Sequence, residues 1–140
     1  MKNEYIKILL KLAKKAYKKN EMPVSAVLVK DDKIISKAYN KKNLNNNPIM
    51  HAEVICLQKA YKKLKRWNLN DCILYVSLEP CEMCKIIIEE SRIDKVYYVL
   101  KKGKITNKYN KTQYEQVYAK NDCEFNFIIS NFFKKLRKKL

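Results

Sequence analysis

Glycine, tryptophan and histidine each occur once in this chain, and proline three times, at positions 23, 48 and 80. No window approaches the roughly 18 consecutive apolar residues of a membrane span. The N-terminal MKNEYIKILLKLAKKAY is interrupted by lysine every few positions, so it lacks the apolar core and cleavage site of a secretory signal. The expectation is a cytoplasmic protein with no membrane partner. Cysteines stand at 56, 72, 81, 84 and 123. Their odd number, in a reducing compartment, points to free or metal-bound thiols rather than a disulfide framework. There is no internal repeat, no low-complexity linker and no second-domain boundary. A length of 140 residues therefore predicts one domain over 1–140.

What the chain has in excess is lysine. The formal net charge is +17, and of 31 basic residues only Arg66, Arg92 and Arg137 are arginine. Such a charge attracts polyanions and makes nucleic-acid binding depend on salt. Lysine, asparagine, isoleucine and tyrosine are also the residues an A/T-rich coding sequence overproduces, so charge by itself does not settle the partner.

Apolar residues Ile6, Leu9, Leu10, Ala13, Ala16 and Tyr17 recur at helical spacing and predict an amphipathic first helix over 2–19. Residues 23–30 and 33–39, separated by Asp31 and Asp32, read as a β-hairpin. The Asn-rich tract 40–48 reads as a loop closed by Pro48. A second helix is expected from about Met50 to Lys65, then a central strand over 72–78 covered on both faces. Pro80 ends that strand and opens a third helix, followed by a strand over 95–100. A fifth strand is placed within 112–119, and Asn121 with Glu124 reads as a capping box for a last helix. Alternating strands and helices predict an α/β domain with helices on both faces of the sheet.

The chemistry concentrates in two short segments, His51-Ala52-Glu53 and Pro80-Cys81-Glu82-Met83-Cys84. Cysteines three apart at a helix start share one face, and the positive end of the helix favours their thiolates. With His51 they form three ligands, the number a catalytic zinc uses while leaving its fourth position to water. Glu53, placed beside the metal, is suited to shuttle protons between water and substrate. Cys56, Cys72 and Cys123 are read as small buried hydrophobes, which leaves a four-ligand structural zinc without its fourth donor. A redox pair would leave His51 and Glu53 unexplained. The joint pattern H-x-E…P-C-x-x-C is the signature of the zinc deaminases.

On these motifs the chain resembles the cytidine/deoxycytidylate deaminase superfamily, and within it the bacterial tRNA adenosine deaminases of the TadA type. The resemblance is carried by MPVSAVLV at 22–29, AYN at 38–40, NPIMHAE at 47–53, LYVSLEPCEMC at 74–84, SRIDKVYY at 91–98 and FFKKLR at 132–137. It implies a three-layer α/β/α sandwich around a mixed five-stranded sheet. It further implies one Zn²⁺ per chain held by His51, Cys81 and Cys84, with Glu53 as catalytic proton carrier and Asn40 as substrate contact. The activity implied is conversion of adenosine to inosine at the wobble position of a tRNA anticodon arm, by a homodimer. The alternative is deamination of free nucleobases, nucleosides, nucleotides or single-stranded DNA. A noncatalytic RNA-binding module that keeps zinc for stability is a third class, opposed by the presence of Glu53.

The chain departs from the family pattern in two places. Lys85, Ile86 and Ile87 replace small residues after the second cysteine, and Lys101 and Lys102 stand where an acidic residue is usual. The orientation of the fifth strand is left open. An antiparallel one would match the free-nucleoside cytidine deaminases.

Overall fold

The structure is a computed structural model that describes residues 3–102 and 112–138. Nine elements follow in order: α1 Asn3–Lys18, β1 Ser25–Lys30, β2 Lys33–Tyr39, α2 Ala52–Leu64, β3 Ile73–Leu78, α3 Glu82–Glu90, β4 Lys95–Leu100, β5 Gln113–Gln116 and α4 Asp122–Lys138. The five strands form one sheet in the order β2-β1-β3-β4-β5. The pairs β2/β1 and β1/β3 are antiparallel, whereas β3/β4 and β4/β5 are parallel. The sheet is therefore mixed, and β5 takes the parallel orientation that the sequence left open.

The two faces of the sheet bury different helices. Period-two alternation sends Val27, Val29 and Tyr75 to one face, where they meet Tyr5, Ile6 and Leu9 of α1 and Phe125 and Ile128 of α4. Ala26, Leu28, Leu74 and Val76 face the other way, against Ile55, Leu57 and Ala60 of α2 and Ile88 of α3. This is the three-layer α/β/α sandwich expected. β3 lies at its centre, as its nearly unbroken apolar run requires.

Local chemistry accounts for the ends. Asp31 and Asp32 take φ of 50° and 60°, the left-handed pair that a tight hairpin turn demands. The first helix closes at Asn20, with φ 62°. The last helix starts differently from expectation. The Glu124 backbone N–H bonds to Asn121 O at 3.0 Å, but its side chain does not close a capping box; its Oε2 accepts from Lys14 Nζ of α1 at 3.0 Å. The side-chain bond at this turn is made by Asp122, whose Oδ1 accepts the Ala119 N–H at 2.9 Å.

The topology also aims the chain ends. Because β2 runs antiparallel to β1 and β1 antiparallel to β3, the ends of β2, β3 and β4 lie at one edge of the sheet. Ligand sites of open α/β sheets lie outside such carboxyl ends.

Candidate active site

Two helix starts converge at that edge. His51 is the N-cap of α2, with φ −73° and ψ 154°, and Cys81 is the N-cap of α3, with φ −73° and ψ 171°. Extended backbone at both caps turns the two side chains off their helix axes, and Cys84 follows one turn into α3. His51 Nδ1 lies 3.7 Å from Cys81 Sγ and 3.5 Å from Cys84 Sγ. The three donor atoms all fall within 4.8 Å of one another. One imidazole nitrogen and two thiols facing a common point form a borderline-soft donor set that fits a single zinc ion.

Electrostatics prepare one of the two thiols for a metal. A hydrogen bond from the Cys84 thiol, with further help from His51 and Lys102, brings the Cys81 thiol down to about 5 despite its partial burial. Cys84 moves the other way, its proton held by Cys81 and by burial. The metal-free pair thus carries one negative charge. Cys56 and Cys72 are buried and pushed up to about 12 and about 11, chiefly by burial. Cys123 is exposed, contrary to the expectation that it is buried.

Glu53 sits one residue inside α2 with 4 % exposure, and its Oε1 has no hydrogen-bond partner among the described residues. Burial raises its carboxyl above the ordinary range, and the neighbouring Cys81 adds to the rise. An orphaned acceptor beside a metal-donor cluster is where a water or substrate proton finds its partner.

His51, Glu53 and Cys81 line a cavity of about 380 Å³. Asn40, at the end of β2, lines it as well; Cys84, fully buried, does not line the cavity but joins the same cluster through His51, so the structure brings every sequence-predicted site residue together. Residues the sequence did not single out complete the wall. Leu78 and Glu79 come from the end of β3, and Met22 and Val24 from the approach to β1. Glu79 Oε1 accepts the Lys102 N–H at 2.9 Å, which fixes the chain leaving β4 against the cavity. Phe132 and Leu136 of α4 close one side, while Lys42 and Lys102 stand in the lining as cations.

The unusual Lys85 does not crowd this cavity. It is buried at 4 % exposure, with Nζ 3.4 Å from Glu82 Oε1 and 5.9 Å from the Tyr114 ring centroid. Its bulk fills the space between α3 and β5.

Residues 1–100 match the cytidine and deoxycytidylate deaminase zinc-binding region. The chain belongs to this deaminase family. It is 36 % identical over 148 residues to the tRNA-specific adenosine deaminase of Aquifex aeolicus, covering 97 % of this chain and 96 % of that one. The Bacillus subtilis tRNA-specific adenosine deaminase is 43 % identical over 94 residues, 67 % of this chain and 58 % of the relative. A solved structure from a study of A-to-I editing by tRNA:A34 deaminases superposes with a TM-score of 0.70 at 33 % identity, covering 71 % of this chain and 77 % of that one. The guanine deaminase of Bacillus subtilis superposes with a TM-score of 0.67 at 38 % identity, over 72 % and 66 % of the two chains. Membership identifies the metal as zinc, and the three-donor cluster is the place in this fold that suits it.

Proposed function

We propose that this deaminase converts adenosine to inosine at the wobble position of a tRNA anticodon arm, with zinc held by His51, Cys81 and Cys84. The observation that carries the reading is the unpartnered Glu53 Oε1 in the wall of a cavity that also presents the metal-donor cluster and Asn40. Near full-length similarity to a tRNA-specific adenosine deaminase supports the substrate.

Bound zinc supplies an acidified water and a Lewis-acid centre. The chain's own residues do the rest. Glu53 takes one proton from the water that adds to C6 of adenine and passes it to the ring nitrogen, then carries the remaining hydroxyl proton to the amine as the C6–N bond breaks. Ammonia leaves, and the ring keeps the oxygen. Asn40 holds the everted base by its edge, and the apolar side chains of Val24, Leu78 and Phe132 exclude bulk water around it.

Lys42 and Lys102 in the cavity lining suit a base that arrives with phosphates on either side. Lys15, Lys19 and Lys41 add positive charge nearby, their ammonium groups lying 5.8, 5.7 and 5.1 Å from the Tyr39 ring centroid. We further read the protein as a homodimer. Trp67 and Ile86 are 60 % and 55 % exposed and line one apolar groove with Tyr61 and Ile87, the kind of surface a second copy would cover.

The deciding experiment is inosine formation in an anticodon stem-loop bearing a wobble adenine, incubated with zinc-loaded protein. Inosine is expected; a zinc-loaded protein that produces none overturns the tRNA reading. The resemblance to a guanine deaminase makes ammonia release from guanine the companion assay.

A further inference from the structure

Glu21 is 0 % exposed, more deeply buried than Glu53 or Glu79, and the chemistry above does not use it. Its backbone is fixed by the end of α1. The N–H groups of Asn20 and Glu21 bond back to Tyr17 O at 3.1 Å and Ala16 O at 2.9 Å, the paired closure of a helix that ends on a left-handed residue. From there its carboxyl reaches across to the Asn-rich loop. Oε1 accepts the Asn43 N–H at 3.0 Å and the Asn40 Nδ2–H at 3.5 Å, while Oε2 accepts the Leu44 N–H at 2.5 Å. Two further bonds complete the join: Asn43 Nδ2 to Asn20 O at 3.3 Å, and Asn40 N to Val24 O at 3.0 Å.

We propose that Glu21 is a positioning residue that orients the Asn40 amide toward the substrate and holds the cavity wall at Asn43. The inference rests on the reading of the cavity as a base-binding site. Backbone N–H groups only donate, so both Glu21 oxygens are committed as acceptors. An acceptor facing Asn40 selects the amide nitrogen for that side. The Asn40 Oδ1 and its second N–H are then left for the ligand, and that donor–acceptor pair is the one with which asparagine reads adenine. Among the described residues, Glu21 is the hydrogen-bond partner of the Asn40 side-chain amide.

Replacing Glu21 with glutamine keeps the size but turns one oxygen into a donor. That donor must face either Leu44 N–H or the Asn40 and Asn43 pair, and the amide of Asn40 loses its fixed orientation. The test is a double-mutant cycle between Glu21→Gln and Asn40→Ala on the stem-loop, with zinc content measured for each protein. We expect Glu21→Gln to lower kcat/KM at least about tenfold in the parent, a scale that small misplacements of substrate reach readily. It should cost nothing further once Asn40 is alanine, since coupled sites are non-additive. Additive losses, or an unchanged kcat/KM in Glu21→Gln, overturn the proposal. Glu21→Asp, which keeps the charge but shortens the reach, carries the same expectation should glutamine prevent folding.

A parent protein that forms no inosine would refute the tRNA reading alone. The positioning role is then read without substrate, from the ¹⁵N-resolved side-chain amide of Asn40 in the zinc-loaded protein. Its signal should shift and exchange faster in Glu21→Gln; an unmoved signal overturns the role.

Discussion

Cys84 Sγ lies 3.5 Å from His51 Nδ1, although 33 residues separate the two in the chain. Each side chain stands at a helix start, so a metal held between them would join the first turns of α2 and α3. Removing zinc with a chelator should abolish deamination, and adding zinc back should restore it. Cys84→Ser is expected to lose the metal along with activity, as measured by atomic absorption. An active, metal-free variant would show that this cluster is not the zinc site.

Glu53 is expected to matter for turnover and not for metal. Glu53→Ala should lower kcat by about 10² to 10⁴, the usual contribution of a positioned acid–base group. Zinc content should stay near one per chain. Parental activity in this variant would remove Glu53 from the chemistry.

The thiols of the metal-free protein differ in sign of shift, and alkylation reads the difference. Cys81, brought down to about 5 by its hydrogen bond with Cys84, is a thiolate above that pH and a thiol below it. Its reaction with iodoacetamide should rise through pH 5 and be near its plateau at neutrality. Cys56, held up at about 12 by burial, should stay unmodified across the same range. Peptide mapping separates the two, and bound zinc should protect Cys81.

Lys42 and Lys102 should act on substrate capture. Replacing either with alanine is expected to raise KM for the stem-loop and reduce the salt slope by about one. The rate at saturation should hold, because Lys102 offers its backbone N–H to Glu79 whatever its side chain. A salt slope unchanged in both variants would count the charge at this rim as compositional.

The core can be tested apart from the site. Leu74 on β3 is fully buried, so Leu74→Ala should cost about 2–5 kcal/mol of unfolding free energy, read from urea denaturation of the zinc-loaded protein. A loss below about 1 kcal/mol would mean that the site collapses around the missing side chain, which close packing disfavours.

Much of this layout was legible before the structure. Ile6, Leu9 and Ala13 repeat with helical period, and 72–78 has the unbroken apolar character of a central strand, so α1 and β3 could be placed from pattern alone. His51, Glu53, Cys81 and Cys84 were visible because their chemistry is rare in combination and their spacing is local. What escaped was long-range. Cys123 was expected inside, but it lies two residues from the buried Phe125, about 200° around a helix, and so faces solvent. Glu124 suited a local capping box until Lys14, distant in sequence, arrived beside it. Glu21 gave one faint signal, an acidic residue between a lysine-rich helix and a strand. Its partners in the Asn-rich loop appear only once the hairpin brings them together.

The site is built at helix starts and strand ends, which sets it apart from the bodies of α2 and α3. The bodies of α2 and α3 behind their first turns carry none of the proposed metal donors and not the proposed proton carrier, whereas α4 reaches the cavity with Phe132 and Leu136. In the run Lys85-Ile86-Ile87, bulky residues follow directly on Cys84, yet the lysine is absorbed between α3 and β5 and Ile86 turns outward. Lysine and isoleucine therefore occupy the body of α3 without entering the cavity.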